Sequence, residues 1–184
     1  MTEQREHQRI HTLFTRSRFL HVEDALGIGK IRLFAGQYQA GQGMNGHAIH
    51  YMDVDDARVV FLDLLNWTLE KYMEFKGNGQ GDRPVSRTLK IKVKRDEAKV
   101  VFELANGPGQ VIGQGAVRPA GKPDVEVAVM MDRDQARRVA AATLAYIQAW
   151  DVVSLARSPG SCLFPETVGD SRGHIRICRR HPSE

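Results

Sequence analysis

The chain has 184 residues, of which 42% are hydrophobic and 26% charged, and it carries a formal net charge of +4 with a pI near 9.2. This composition is ordinary for a soluble globular protein. No apolar run approaches the ~20 residues of a membrane span, and the polar N-terminus does not resemble a secretory signal. The two cysteines, Cys162 and Cys178, lie near the C-terminus, so we expect a cytoplasmic protein without membrane contact. The basic charge is compatible with a polyanionic partner but does not indicate one by itself.

The first half of the chain alternates between apolar and polar residues, which is typical of strands with one buried face. Within Leu26–Tyr38, Ile31 belongs to the apolar face and Arg32 to the opposite one. The predicted elements are, in chain order, an extended segment at 14–22, a strand at 26–38, a glycine-rich turn at 40–46 and a strand at 47–52.

A helix is predicted to follow these strands. Asp53 and Asp56 suit a helix N-terminus, where side-chain oxygens cap free amides and acidic residues favour the helix dipole. Apolar residues then recur at helical spacing, so we expect a helix that runs to about Phe75 and ends at Gly77. The recurring apolar residues are Ala57, Val60, Phe61, Leu64 and Leu65.

The second half repeats the order of strands followed by a helix. Asp132 is expected to cap the final helix, with Gln135 in the reciprocal capping position, and that helix should run to about Ala156. The predicted elements before it are a strand at 87–95, a return strand at 99–105, a turn at 106–109, a strand at 110–117, a turn at 119–123 and a strand at 125–131.

Two similar strings mark the strand-to-helix junctions. MDVDDAR at Met52–Arg58 and MDRDQAR at Met131–Arg137 share Met, both Asp, Ala and Arg. The same offset places Val60 on Val139, Leu65 on Leu144 and Trp67 on Tyr146. Any two such junctions favour acidic caps followed by apolar residues, yet a match held in register favours one unit used twice. We therefore predict a flexible arm at 1–13, one duplicated domain at 14–157 (repeats at 14–76 and 85–157) and a tail at 158–184.

Two copies of antiparallel strands followed by a helix resemble the Whirly family and the related positive-cofactor-type coactivators. The segment KIRLFAGQYQAGQGMNGHAIHYMD resembles the family's opening hairpin, and KVVFELANGPG with the strand, acidic cap and alanine-rich helix after it is similar to the second half. The resemblance covers about residues 17–157. It implies an α+β fold, sequence-tolerant binding of single-stranded DNA or RNA across sheet faces, and a homodimer or larger homo-oligomer. The turn at 39–43 lacks the lysine that Whirly proteins carry there.

A basic stripe is the strongest candidate for nucleic-acid contact. Lys90, Lys92 and Lys94 alternate on one strand face at roughly 6.6 Å spacing, which suits a run of phosphates. Strand aromatics could stack with bases. The same lysines would equally provide solubility and edge protection. The predicted binding residues are Lys30, Arg32, Phe34, Tyr38, Tyr51, Arg87, Lys90, Lys92, Lys94 and Arg95. Changing the three lysines to Glu should abolish binding.

Signatures of an enzyme, a cofactor or a metal are absent from the sequence. There is no GxSxG, Walker-type loop, HExxH or paired CxxC. His47 and His50 point to opposite strand faces, and the tail residues Cys162, His174, Cys178 and His181 fit no standard zinc spacing. We therefore expect a non-enzymatic protein that binds single-stranded nucleic acid, more readily DNA, with little sequence specificity. The alternative is a structural or protein-interaction module that uses its open sheet for oligomerisation.

Overall fold

The computed structural model describes residues 7–39, 41–78, 83–112 and 116–157. Within these ranges the chain forms nine strands in two antiparallel sheets and two α-helices, so the predicted α+β class is confirmed. Residues up to Ile147 form one compact unit. Gln148 begins a second unit, of which the structure describes the helical residues 148–157.

The first sheet is a meander of four strands in sequence order. They are β1 (Arg9–Phe14), β2 (Arg18–Ala25), β3 (Lys30–Gln39) and β4 (Gly43–Asp53). The predicted alternation in β3 is confirmed, because Ile31, Leu33 and Ala35 are fully buried. The prediction of a flexible arm is wrong for residues 9–13, because they belong to β1 and pair with β2.

Helix α1 (Val54–Asn66) is shorter than predicted. It ends at Trp67, which adopts a left-handed conformation (φ 62°) and donates its amide to the carbonyls of Asp63 and Leu64. The predicted extension to Phe75 is wrong because residues 71–78 form strand β5 (Lys71–Asn78), which pairs along its whole length with the next strand. For residues 71–75, the hydrogen bonds and packing gained by pairing with a neighbouring strand outweigh the helical spacing of their apolar side chains.

The second sheet contains β5, β6 (Val85–Lys94), β7 (Lys99–Ile112), β8 (Ala116–Pro119) and β9 (Val125–Asp132). Strand β7 pairs with β6 on one side, and on the other with β9 over its first half and β8 over its end. The turn predicted at 106–109 is therefore wrong.

Glycines on β5 and β7 let these strands lie close to β8. A Cβ placed on Gly77 or on Gly109 would approach side-chain atoms of Val117 to 2.5 Å or less. Val117, on β8, is itself buried. The glycines that predicted a turn are thus explained by close contact between strands.

Helix α2 (Arg133–Arg157) begins with the predicted capping box. The Gln135 amide donates to Asp132 Oδ1 at 2.7 Å, and Gln135 Oε1 accepts the Asp132 amide at 3.0 Å. The cap predicted at Asp53 is wrong, because no side-chain hydrogen bond caps α1 there. The two junctions share buried methionines, Met52 and Met131. Their aspartates differ, because Asp132 caps α2 whereas Asp53 forms ion pairs with lysines.

The core lies between the inward faces of the sheets and both helices. Its largest fully buried side chains include Phe61 on α1 and Phe102 on β7. From α2, Val139 and Ile147 are also fully buried. By length and composition alone, the Arg133–Ala156 part of this helix is long and apolar enough to cross a membrane, a property that core helices of soluble proteins share.

Candidate nucleic-acid interface

The outward face of the first sheet carries an aromatic cluster that crosses all four strands. We call this the aromatic face, and its members are Phe14, Phe19, His21, Phe34, Tyr38 and His47. Neighbouring ring centroids are 4.6 Å apart for Phe19 and His21 and 5.3 Å apart for Phe34 and His47. Phe14 is 63% exposed and His47 is also exposed, so both edges of the cluster are open to solvent.

Strand register produces this continuity. Phe14 lies opposite Phe19, and His21 lies opposite Phe34, because residues paired across antiparallel strands share a face. Gly36 occupies the remaining position beside Phe19, and a Cβ there would lie 2.3 Å from the Phe19 ring. The missing side chain therefore lets the Phe19 ring cover the sheet.

His21 is a neutral member of the cluster. Its ring is 5% exposed, stacks parallel to Phe34 with 6.0 Å between centroids, and has Nδ1 2.9 Å from the Thr12 hydroxyl. Burial lowers the pKa of His21 to about 4, and the positive charges of Arg9 and Arg32 act in the same direction. At neutral pH this ring thus presents an uncharged surface.

Arg32 adds a cation beside the aromatic face. Its guanidinium lies 5.0 Å from the centroid of the Phe34 ring and forms an ion pair with the buried carboxylate of Glu23. Its Nε is buried, and no hydrogen-bond partner for it occurs in the part of the chain that the structure describes. The ion pair holds the guanidinium beside the Phe34 ring, within the range of a cation–π contact.

Tyr51 and Arg87 extend the surface onto the second sheet. The Arg87 guanidinium lies 5.8 Å from the Tyr51 ring centroid, and Tyr51 lies opposite Arg32 in the strand register. Arg87 has no acidic partner among the described residues, and its Nε is buried without a hydrogen bond. A half-buried arginine without a counter-ion is suited to bind an added anion. We call Arg32, Tyr51 and Arg87 the arginine–tyrosine seam.

A chain of ion pairs lies beside this seam. Both Lys30 and Lys76 bind the carboxylate of Asp53, and Lys76 also lies 3.2 Å from Glu74. Glu74 in turn accepts a hydrogen bond from Nε2 of the fully buried His50 at 2.7 Å. Hydrogen bonds from the two lysines lower the pKa of Asp53. Lys30 is therefore already neutralised within the protein.

The remaining predicted basic residues are separated from that surface. Lys90, Lys92 and Lys94 alternate with the inward Leu89 and Ile91 on β6, whereas Arg87 has the inward parity and reaches Tyr51. Lys92 pairs with Glu103 at 3.0 Å, and Lys94 pairs with Glu97 at 3.1 Å. Lys90 is half-buried and has no acidic partner among the described residues.

Arg95 and Tyr38 make structural contacts. The Arg95 guanidinium donates to the carbonyls of Trp67 at 3.0 Å and Thr68 at 3.1 Å, so it closes the chain after α1. The Tyr38 hydroxyl donates to the carbonyl of Thr15, and its ring stacks against Phe19 with 6.5 Å between centroids. Tyr38 therefore contributes a ring to the aromatic face while its polar end is occupied.

Sequence reasoning missed three aromatic side chains of this surface. Phe14, Phe19 and His21 lie on β1 and β2, where the sequence was assigned only as extended. The alternation of Phe19 and His21 with the buried Leu20 and Val22 was the available signal. In the part of the chain that the structure covers, no three His, Cys, Asp or Glu side chains converge as a metal site. The predicted tail residues Cys162, His174, Cys178 and His181 lie outside the described residues.

Comparison with known proteins supports the fold. No protein-family model matches the sequence, and no curated protein matches it. The structure of the plant transcriptional regulator PBF-2, a Whirly-family protein, is similar to this chain with a TM-score of 0.51 and 11% identity. The similarity covers 81% of this chain and 95% of that chain. The fold is therefore Whirly-like.

Proposed function

We propose that this protein binds single-stranded nucleic acid, more readily DNA, on the aromatic face and the arginine–tyrosine seam. The observation that carries the proposal is a ring cluster open to solvent at Phe14 and His47, beside the Tyr51 ring and its neighbour Arg87, the one seam cation that has no acidic partner among the described residues. Bases stack on aromatic rings in a sequence-tolerant way, and cations neutralise phosphates. The Whirly-like fold is consistent with this assignment, and we interpret the two strand-to-helix units as one duplicated element.

The two parts of the surface have different roles. Phe14, Phe34 and His47 offer ring faces or edges to unpaired bases, and the neutral His21 keeps the middle of the cluster free of charge. Arg87 supplies a positive charge for a phosphate next to Tyr51. Duplex DNA keeps its bases paired and stacked, so this surface favours single strands. The proposed role of this surface is binding, without a chemical reaction.

Fluorescence-anisotropy titration of a labelled single strand at several salt concentrations tests this assignment. Tyr51→Leu should weaken binding about 5- to 160-fold, because stacking contributes about 1–3 kcal/mol per base. It should leave the salt dependence unchanged. Arg87→Gln should also weaken binding, and the slope of log K against log salt should become shallower by about 0.7, as expected for one lost phosphate contact to a single strand.

Arg118→Gln is the matched control, since Arg118 bonds to Gln110 on the far end of β7 and lies outside the proposed surface. It removes the same charge and should leave both affinity and slope near those of the unchanged protein. Absence of binding at low salt would show that the proposal is wrong. Equal losses for Arg87→Gln and Arg118→Gln would show that only net charge matters and that the site lies elsewhere.

A further inference from the structure

The edge strands β4, β9 and β5 differ in the hydrogen bonding of their outward backbone groups. At the edge of β4, the side-chain oxygen of Asn106 accepts the Ile49 amide at 3.2 Å. On β9, the Arg18 guanidinium donates to the carbonyl of Ala128. Among the described residues, strand β5 pairs only with β6, and no side chain hydrogen-bonds to its backbone. Its outer edge therefore keeps a row of amides and carbonyls without a strand partner.

The side chains of β5 are unusual for such an edge. Met73 is 61% exposed and Phe75 is 43% exposed, and both lie on the outward face of the strand. Open edges are ordinarily blunted by charge, proline or a covering segment, since they pair readily with another chain. Two neighbouring apolar side chains on an open edge instead indicate a surface that becomes covered.

We propose that β5 pairs with the β5 strand of a second copy of this chain, antiparallel about a twofold axis at Met73. In this register Glu70 faces the partner's Lys76, and Lys71 faces the ring of the partner's Phe75. Met73 meets its own copy at the axis. The two exposed charged side chains of this segment, Glu70 and Lys71, then face a lysine and an aromatic ring of the partner, contacts that stabilise antiparallel pairs. The inference is independent of the nucleic-acid proposal.

Other symmetric registers are less favourable. An axis at Glu74 places two carboxylates directly opposite each other, and an axis at Tyr72 places Glu70 opposite the partner's Glu74. Like charges in these positions are destabilising. An axis at Phe75 brings the partner's Met73 to Gly77, where Val117 of β8 already fills the outward side. The charges and the close contact at Gly77 thus favour the axis at Met73.

Disulfide trapping tests both the pairing and its register. In the full chain with Cys162→Ser and Cys178→Ser, Met73→Cys should form a covalent dimer under mild oxidation. Residues directly opposed across antiparallel strands have Cα atoms about 4.5–5.5 Å apart, within the range of about 4.4–6.8 Å for a disulfide. Phe75→Cys in the same background should not, because its two copies would lie roughly 13 Å apart. Met130→Cys, exposed on β9, is the control for random collision.

Light scattering provides a second measurement that needs no cross-link. The unchanged chain should have the mass of a dimer or of a larger assembly containing it, and Met73→Lys should lower that mass by placing two positive charges at the axis. Since Met73 is exposed, the variant should fold. A monomeric unchanged chain, an unaltered mass for Met73→Lys, or equal cross-linking of all three cysteine variants would overturn the proposal. Cross-linking of Phe75→Cys alone would show that the register is wrong.

Discussion

Arg87 and Arg95 occur in one short basic segment, yet their surroundings differ. The Arg95 guanidinium is hydrogen-bonded to backbone carbonyls of its own chain, whereas the Arg87 guanidinium contacts the Tyr51 ring and no acid among the described residues. Alternation along β6 already predicts that Arg87 lies on the opposite face of the strand from Lys90 and Lys92. The surroundings of Arg95 were not predictable, since they depend on where the chain leaves α1.

His21 makes the stability of the fold depend on pH. Its pKa is about 4 in the folded protein, below the ordinary histidine value of 6.5 that applies in the unfolded chain. The unfolded chain therefore takes up a proton first as the pH falls. The contribution of His21 is fully present above about pH 6.5 and is lost as the pH falls towards 4. The loss amounts to at most about 3 kcal/mol.

Replacing His21 with Phe should remove that part of the pH dependence. Urea unfolding at pH 7 and pH 4 should show a smaller drop in the free energy of unfolding for His21→Phe than for the unchanged protein, by up to about 3 kcal/mol. His47→Phe is the matched control, because His47 is exposed on the same face. If His21→Phe lost as much stability on acidification as the unchanged protein, His21 would not be held neutral.

At the scale of elements, local pattern predicted the strands better than the ends of the helices. Strands β3, β6 and β9 were predicted because their alternation is strong and local. The end of α1 was not predicted, because residues 71–75 combine helical spacing with strand alternation and their pairing with β6 decides between them. The role of Asp53 was likewise unpredictable, since its partner Lys76 lies on β5, assigned in sequence to the end of a helix.

The contact of Phe19 with Gly36 couples β2 to β3. Gly36→Ala should destabilise the protein by about 1–3 kcal/mol, because a Cβ there would overlap the Phe19 ring. In a Phe19→Ala background the same change should cost much less, since the ring is gone. Denaturant unfolding of the two single variants and the double variant measures this coupling. Additive losses would show that the ring moves aside freely.

At the scale of the whole molecule, the seam arginines and the predicted lysine stripe lie on different surfaces. The seam arginines accompany rings, and the lysines Lys90, Lys92 and Lys94 lie on the outward face of the other sheet, where two of them already bind acids. The sequence predicted that these lysines carry binding. The pairing with Glu103 and Glu97 instead favours a supporting role, in which they raise the positive potential around the protein.

The triple variant Lys90→Glu, Lys92→Glu and Lys94→Glu separates these two roles. If the lysines act at long range, the variant should bind a single strand more weakly at low salt but approach the unchanged protein near 0.15 M, where the Debye length is about 8 Å. Tyr51→Leu should remain weakened at both salt concentrations, because stacking is a short-range contact. Anisotropy titrations at about 0.02 M and 0.15 M salt measure the difference. Loss of binding by the triple variant at both concentrations would instead place direct phosphate contacts on the second sheet.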